Sequence, residues 1–310
     1  MRALRWYGPG DARVEEVADP APGPGELLVR IEAALTDGTD RKAFLRGHPV
    51  LLGDPPAPFG HELCGIEVES GRRVVAINSV PCGSCAACAH GEEAQCDSRT
   101  LLNGAYAELI AVPERNLLPV PSSLEPEIAA MVEPLACCLH GVDRSGVEPG
   151  DTVAVLGAGP IGLMLCASVA DAGGKAVLVG GRPERRALAP EFGAAAGGGE
   201  QADVVIEATG SADGWRDAVA LVRRGGTVVL FGGLPAGTEV ALDAFRLHYE
   251  ELTLRGAFHH TPRTVRAALA FLATGAFSWE RLITHEIGLE QVVRLLDEPP
   301  RDLLKAAVRP

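Results

Sequence analysis

The chain has 310 residues, 47% of them apolar and 22% charged, which is enough for two domains with cores of their own. Its formal net charge of −13 disfavours nucleic acid and anionic membrane surfaces as main partners. The first residues carry no apolar h-region, and no stretch approaches the ~20 apolar residues of a membrane span, so neither an export signal nor a transmembrane helix is expected.

The first third alternates short apolar runs with Gly/Pro breaks. Residues 26–32, 66–68 and 74–77 read as strands, and 105–112 and 117–120 extend a β-rich pattern. Between them lies a loop with Cys82, Cys85, Cys88 and Cys96 in C-x2-C-x2-C-x7-C spacing. The loop is rich in Ala, Gly and Ser and has no amphipathic pattern, so apolar burial cannot hold it. Four thiolates at short spacing suit one tetrahedral Zn2+, and a site closed by four cysteines is structural. The alternative is incidental thiols or two disulfides, which two-residue gaps disfavour. Cys64, Cys137, Cys138 and Cys166 lie in apolar contexts and read as small core residues. The compartment expected is the reducing cytoplasm.

A helix is predicted over 125–145, with Ser122 or Ser123 as its N-cap. From 151 the texture changes. Continuous apolar runs at 152–156, 176–179, 204–207 and 227–231 alternate with helical patterns at 161–172, 183–192 and 215–223. Such alternation makes a parallel sheet with right-handed crossovers, an α/β fold. The stretch 194–199 reads as a shortened loop. A helix over 264–274 closes the unit. The tail from 283 is too small for a domain and is expected to return to the first one. The expected division is 1–123 with 278–310, against 124–277 for the linking helix and nucleotide domain.

Gly157, Gly159, Pro160, Ile161 and Gly162 belong to a G-x-G-x-x-G segment placed directly after a strand and opening a helix. In that context the glycines serve a tight turn, a pyrophosphate approach and helix–strand packing, with helix amides facing the phosphates. An NAD site normally has a carboxylate at the end of the next strand. The position falls on Gly181, or on Gly180 when counted back from Gly193, and Arg182 follows. Room and positive charge there favour NADP over NAD, with Arg185 or Arg186 assisting. The alternative is a solvated helix face.

Gly60-His61-Glu62 begins G-H-E-x2-G-x5-G-x2-V, and Asn103 to Glu108 and Glu133-Pro134-Leu135-Ala136 add further motifs. With the four-cysteine loop and the glycine fingerprint, these residues resemble the medium-chain zinc-dependent alcohol dehydrogenases over nearly the whole chain. Glu62 and the Glu133 element make the sorbitol (polyol) and sugar dehydrogenase branch the nearest match. The resemblance implies a GroES-like catalytic domain, a Rossmann domain and a cleft between them. It also implies a homodimer or homotetramer that pairs along 252–258.

In that family a catalytic zinc takes a cysteine from a C-G-[ST]-D element. Here the matching residues are Asp37-Gly38-Thr39-Asp40, so a carboxylate stands at the cysteine position. A carboxylate binds zinc but is a harder ligand than thiolate, which makes a weaker and more exchangeable site. The resemblance implies zinc on Asp37 and His61, with Glu62 or Glu133 as third ligand, directly or through water. Asp40 matches the residue that orients the ligand histidine, and Thr39 the hydroxyl that passes a proton outward. Ordinary turn roles are the alternatives for both. Lys42 stands where the family often has a relay histidine. The activity implied is hydride transfer between a secondary alcohol, a polyol or sugar, and a nicotinamide cofactor. Two other readings stay open: a zinc-free quinone or carbonyl reductase of the same superfamily, and a non-enzymatic NADP(H)-binding sensor.

Overall fold

The computed structural model describes residues 1–48, 51–198 and 201–310. The chain divides into two compact units, 1–133 with 268–310, and 134–267.

The first unit is built on a seven-stranded sheet. Strand Glu26–Leu35 lies at its centre, with Glu62–Glu67 antiparallel on one side and Lys305–Arg309 antiparallel on the other. Leu35 pairs with Glu62 across one seam and with Ala307 across the other, so the starts of both flanking strands meet the end of the central one. The C-terminal strands Ile283–Gly288 and Lys305–Arg309 complete this sheet. The core beneath it joins Trp6, Phe44, Phe59, Tyr106, Ile110 and Val292.

The second unit is a six-stranded parallel sheet. Numbered within the unit from Thr152–Leu156, its strands run in the order 3-2-1-4-5-6, the doubly wound Rossmann arrangement. Val153, Val155, Val205, Ile206, Val228 and Val229 are buried, as strands covered on both faces require.

Several local expectations are corrected. Residues 194–199 are no mere loop: Ala194–Gly197 is a strand paired in parallel with Lys175–Val179, while Gly199 lies outside the described residues. Alanine and glycine carry no side-chain alternation, so only the backbone pairing defines this strand. The helix predicted over 125–145 is two pieces, Pro126–Ala129 and Val132–Ser145. Pro134 has no N–H to give the Ala130 carbonyl and its ring crowds that carbonyl, so one continuous helix is interrupted and the second piece carries Pro134 in its first turn, where no N–H is needed. Glu125 holds the N-cap position of the first piece, with no side-chain cap bond, and the two serines sit in the turn before it. Pro190 acts likewise at 183–192, leaving Pro183–Arg186 and a 3-10 turn, Ala189–Phe192. Cys64, Cys138 and Cys166 are buried core residues, but Cys137 is half-exposed. Among the described residues no helix is long and apolar enough to cross a membrane.

Candidate active site and metal centres

In the thiol loop the Sγ atoms of Cys82, Cys85, Cys88 and Cys96 all lie within 4.8 Å of one another. Cys85 Sγ is 3.5 Å from Cys88 Sγ and 3.9 Å from Cys96 Sγ. Four sulfurs bound tetrahedrally at Zn–S lengths of ~2.3 Å stand about 3.8 Å apart, so the donor set fits one zinc ion. Backbone N–H groups of Ser84 and Cys85 donate to Cys82 Sγ at 3.5 and 3.3 Å, and these bonds lower its pKa to about 6. Burial and the Cys85 thiol push Cys88 up to about 12. Within 81–96 only Ala94 and Cys96 are buried, so little besides the thiols can hold this segment.

The second cluster forms where strand Glu26–Leu35 gives way to helix Gly38–Arg46. Asp37 is the helix N-cap: its Oδ1 accepts from Asp40 N at 2.7 Å, and Asp40 Oδ2 accepts from Asp37 N at 3.3 Å. This capping box fixes both carboxylates. The second oxygen of Asp37 then stands 3.9 Å from His61 Nε2, while Asp40 Oδ1 lies 3.0 Å from His61 Nδ1. A carboxylate at Nδ1 makes that nitrogen the donor, which leaves Nε2 facing Asp37 as the nitrogen that a metal would take. Asp37, His61 and Glu62 each bring a ligand atom within 4.8 Å of the other two. One oxygen and one nitrogen converging beside a further carboxylate is a donor set that fits zinc.

Burial disfavours a charged His61, but Asp40 and Asp37 outweigh it and raise its pKa well above the usual value. Burial likewise opposes ionisation of Asp37, yet His61, Lys305 and the capping amide lower its pKa, and the Thr39 hydroxyl bonds the same carboxylate. The cluster is a place that favours a positive charge. Burial and the neighbouring Asp37 raise Asp40. Glu133 is buried, and its Oε1 accepts from Asn78 Nδ2 at 2.9 Å. It is one of the charges felt by His61 but is not in the group formed by Asp37, His61 and Glu62.

Three residues here had no role in the sequence reading. Tyr106, fully buried, donates its hydroxyl to Asp40 and lies 3.1 Å from the Leu35 carbonyl. Gly60 has φ +88°, and a Cβ on it would come within 2.8 Å of the Tyr106 ring, so the glycine before His61 makes room for that tyrosine. Lys305, 1% exposed, donates to both oxygens of Glu62 at 2.8 and 2.7 Å. A lysine opening an apolar strand was the signal for it, since a buried ammonium demands a partner.

In the second unit Gly159 is the N-cap of helix Pro160–Asp171, with Pro160 at its first position and Ile161 behind it. A Cβ on Gly162 would lie 1.7 Å from the Gly157 carbonyl oxygen, whereas one on Gly159 would meet nothing within 4 Å. The one glycine is required by packing and the other leaves open space above the helix amides. A cleft of about 450 Å³ adjoins them, lined by Gly157, Val179, Gly180, Gly181, Thr209 and Ser211 among others. Arg182 is exposed beside it, outside the lining, at the N-cap of Pro183–Arg186. Glu207, fully buried, accepts from Gly210 N at 3.0 Å and from the Thr209 hydroxyl, and so shapes the turn on the cleft's other side.

Two family models match: an alcohol dehydrogenase GroES-like domain over 23–122 and a zinc-binding dehydrogenase over 194–274. The chain is 32% identical to L-galactonate-5-dehydrogenase of Escherichia coli, covering 86% of this chain and 85% of that one. It is 31% identical to erythritol/L-threitol dehydrogenase of Mycolicibacterium smegmatis, over 96% and 93%. A crystal structure described as that of a zinc-binding dehydrogenase from Sinorhizobium meliloti, bound to NADP, superposes with a TM-score of 0.92 at 34% identity, over 100% and 99% of the two chains. The chain therefore belongs to the medium-chain zinc-dependent alcohol dehydrogenase family, among its sorbitol, polyol and sugar-alcohol members, and is an NAD(P)-dependent alcohol dehydrogenase.

Proposed function

We propose that this enzyme interconverts a secondary alcohol of polyol or sugar type and its ketone, with zinc at Asp37 and His61 and with NADP preferred over NAD. The observation that carries the reading is the pair of carboxylates fixed on opposite nitrogens of His61 by one capping box. Asp37 and His61 hold the ion, with Glu62 or Glu133 as the third group. Zinc, when bound, supplies a positive charge against which a substrate hydroxyl loses its proton more readily. The nicotinamide supplies the hydride-accepting carbon. Asp40 keeps His61 in one tautomer and orientation, and Tyr106 keeps Asp40 in place. Thr39, half-exposed and bonded to Asp37, moves the substrate's hydroxyl proton outward. The four-thiol loop takes a second, structural zinc and requires a compartment that keeps thiols reduced, in keeping with the cytoplasm.

The preference for NADP rests on positive charge beside the cleft. Burial lowers the Arg185 pKa, and the charge of Arg182 adds to that effect. Two guanidiniums that repel each other are relieved by a dianionic 2′-phosphate. Polyol and sugar substrates follow from the relatives named above. A homodimer or homotetramer is proposed through strand Thr253–Gly256, the outer strand of the parallel sheet, which lies beside the exposed Phe258.

The test is turnover of a polyol and sugar panel with both cofactors, before and after zinc is removed and restored. Activity should vanish with the metal, return with Zn2+, and show the higher kcat/KM with NADP. Unchanged turnover in the metal-free protein would establish the zinc-free reductase. NADPH binding with no turnover across the panel would establish the sensor.

A further inference from the structure

Helix Gly38–Arg46 starts at its cap Asp37 and runs away from the carboxylate–imidazole cluster. Thr39, Lys42 and Arg46 are spaced i, i+3 and i+7, so they share one face of it. The Thr39 hydroxyl bonds the Asp37 carboxylate, which sets this face at the cluster from its first turn. At ~1.5 Å per residue, Lys42 stands about 4.5 Å beyond Thr39 along the axis and Arg46 about 10.5 Å. Lys42 is half-buried and Arg46 exposed, and among the described residues neither side chain has a hydrogen-bond or ion-pair partner. Other cations of the same unit are matched: Arg2, Arg13, Arg73 and Arg309 each meet a carboxylate at 2.8 to 3.0 Å. The chain has 41 acidic residues against 28 basic ones, so two unmatched cations leading from one cluster do not reflect a shortage of carboxylates.

His48, just past the C-cap Gly47, belongs to the same group. Its Nδ1 accepts from Leu51 N at 3.1 Å, which puts the ring hydrogen on Nε2. Burial lowers its pKa, the charges of His61, Arg46 and Lys42 lower it further, and Asp37 opposes them. The imidazole therefore lies in the field of the cluster and of both cations. Lysine and arginine donate and cannot accept, so this face suits an oxyanion better than a neutral hydroxyl, which both gives and takes. We propose that the alcohol oxidised here carries an anionic group, a carboxylate or a phosphate, remote from the reacting carbinol, and that Lys42 and Arg46 bind it with His48 beside them. The two cations thus decide which polyols are taken, and the substrate class is a sugar acid or a sugar-alcohol phosphate. This inference rests on the polyol and sugar reading, with zinc at Asp37 and His61, given above.

The experiment uses the full chain loaded with zinc. It compares kcat/KM at saturating cofactor for pentonates and hexonates, for the pentitols and hexitols of the same skeletons, and for phosphates of those alditols. One anionic class should exceed its neutral counterparts roughly tenfold or more. The preference should lie in KM and narrow as salt is raised. The class that leads tells carboxylate from phosphate. Lys42→Met keeps the apolar stem and removes the ammonium, and Arg46→Glu reverses a charge at an exposed position. Each should cut the ratio of anionic to neutral kcat/KM roughly tenfold or more. Turnover that favours the neutral alditols, or an anionic preference that both variants retain, overturns the inference alone. So does an equal fall on neutral and anionic substrates in both variants, which would assign the cations to structure or to the proton path. Should Lys42→Met fail to fold, Arg46→Glu decides. A zinc-loaded parent that turns over no member of the panel overturns the polyol and sugar reading itself and this inference with it.

Discussion

The two candidate metal clusters of the first unit are opposites in how they are made. The thiol loop draws four ligands from 15 consecutive positions, Cys82 to Cys96, in a segment with two buried residues. The carboxylate–imidazole cluster draws Asp37 from a helix cap and His61 and Glu62 from the entrance to a strand, and every group in it is tied to a protein partner. In the function proposed above the first cluster takes an ion as its cross-link, because little besides the thiols closes it. The second is held together by bonds among protein groups, so an ion bound there would contribute little to folding. With metal in both, as proposed, a closed sulfur site and an open oxygen–nitrogen site would divide its work between stability and reaction.

The sharpest way to break this comparison is Cys96→Ser. Structural zinc contributes roughly 10–16 kcal/mol in small zinc-folded peptides, and one lost thiolate removes a large part of that. The variant should lose one zinc per chain by elemental analysis and become cleavable by protease between Cys82 and Cys96. A loop that stays resistant without metal would show that its backbone closes unaided. The second site should answer differently. Asp37→Ala should lose the other zinc and cut turnover roughly a hundredfold or more, and it should also destabilise the protein by about 1 kcal/mol, because Asp37 caps helix Gly38–Arg46. Asp37→Asn keeps a good cap and so should lose metal and turnover while its stability stays within a few tenths of a kcal/mol. Equal destabilisation by both variants would mean that the ion, and not the cap, supports this end of the fold.

How much of this was readable in the sequence follows the same division. The thiol spacing and the apolar runs of the parallel sheet are local, and their chemistry is stated by neighbouring residues. The meeting of Asp37 with His61 is not local. It reached the sequence reading through a family resemblance, because D-G-T-D taken alone is equally a turn and, as the structure has it, also a helix cap. Lys305 and Glu62 are 243 positions apart and meet only through the register of the central sheet, which no sequence pattern encodes. Tyr106 was visible inside a quoted motif, but its bond to Asp40 depends on Gly60 yielding space to its ring. The strand Ala194–Gly197 was missed for want of side chains, and the helix breaks at Pro134 and Pro190 for want of weight given to the carbonyl four residues earlier.

The mildest test concerns the thiols themselves. In the metal-free protein Cys82 should be the fast site for alkylation, with half its limiting rate near pH 6, because the Ser84 and Cys85 amides favour its thiolate. Cys88, pushed up to about 12 by burial and by Cys85, should stay protonated and slow through the neutral range. The sign of the linkage follows from the lowered value. The amide bonds stabilise the folded loop fully above 9.0, the ordinary thiol pKa, and their contribution is lost as pH falls to about 6, where the folded-state thiolate takes up its proton. Mass mapping of iodoacetamide adducts at several pH values would rank the four cysteines. Equal rates at all four would show that the amide nest around Cys82 forms only when the ion is bound. That outcome would leave the carboxylate side as the candidate metal position that the backbone builds in advance.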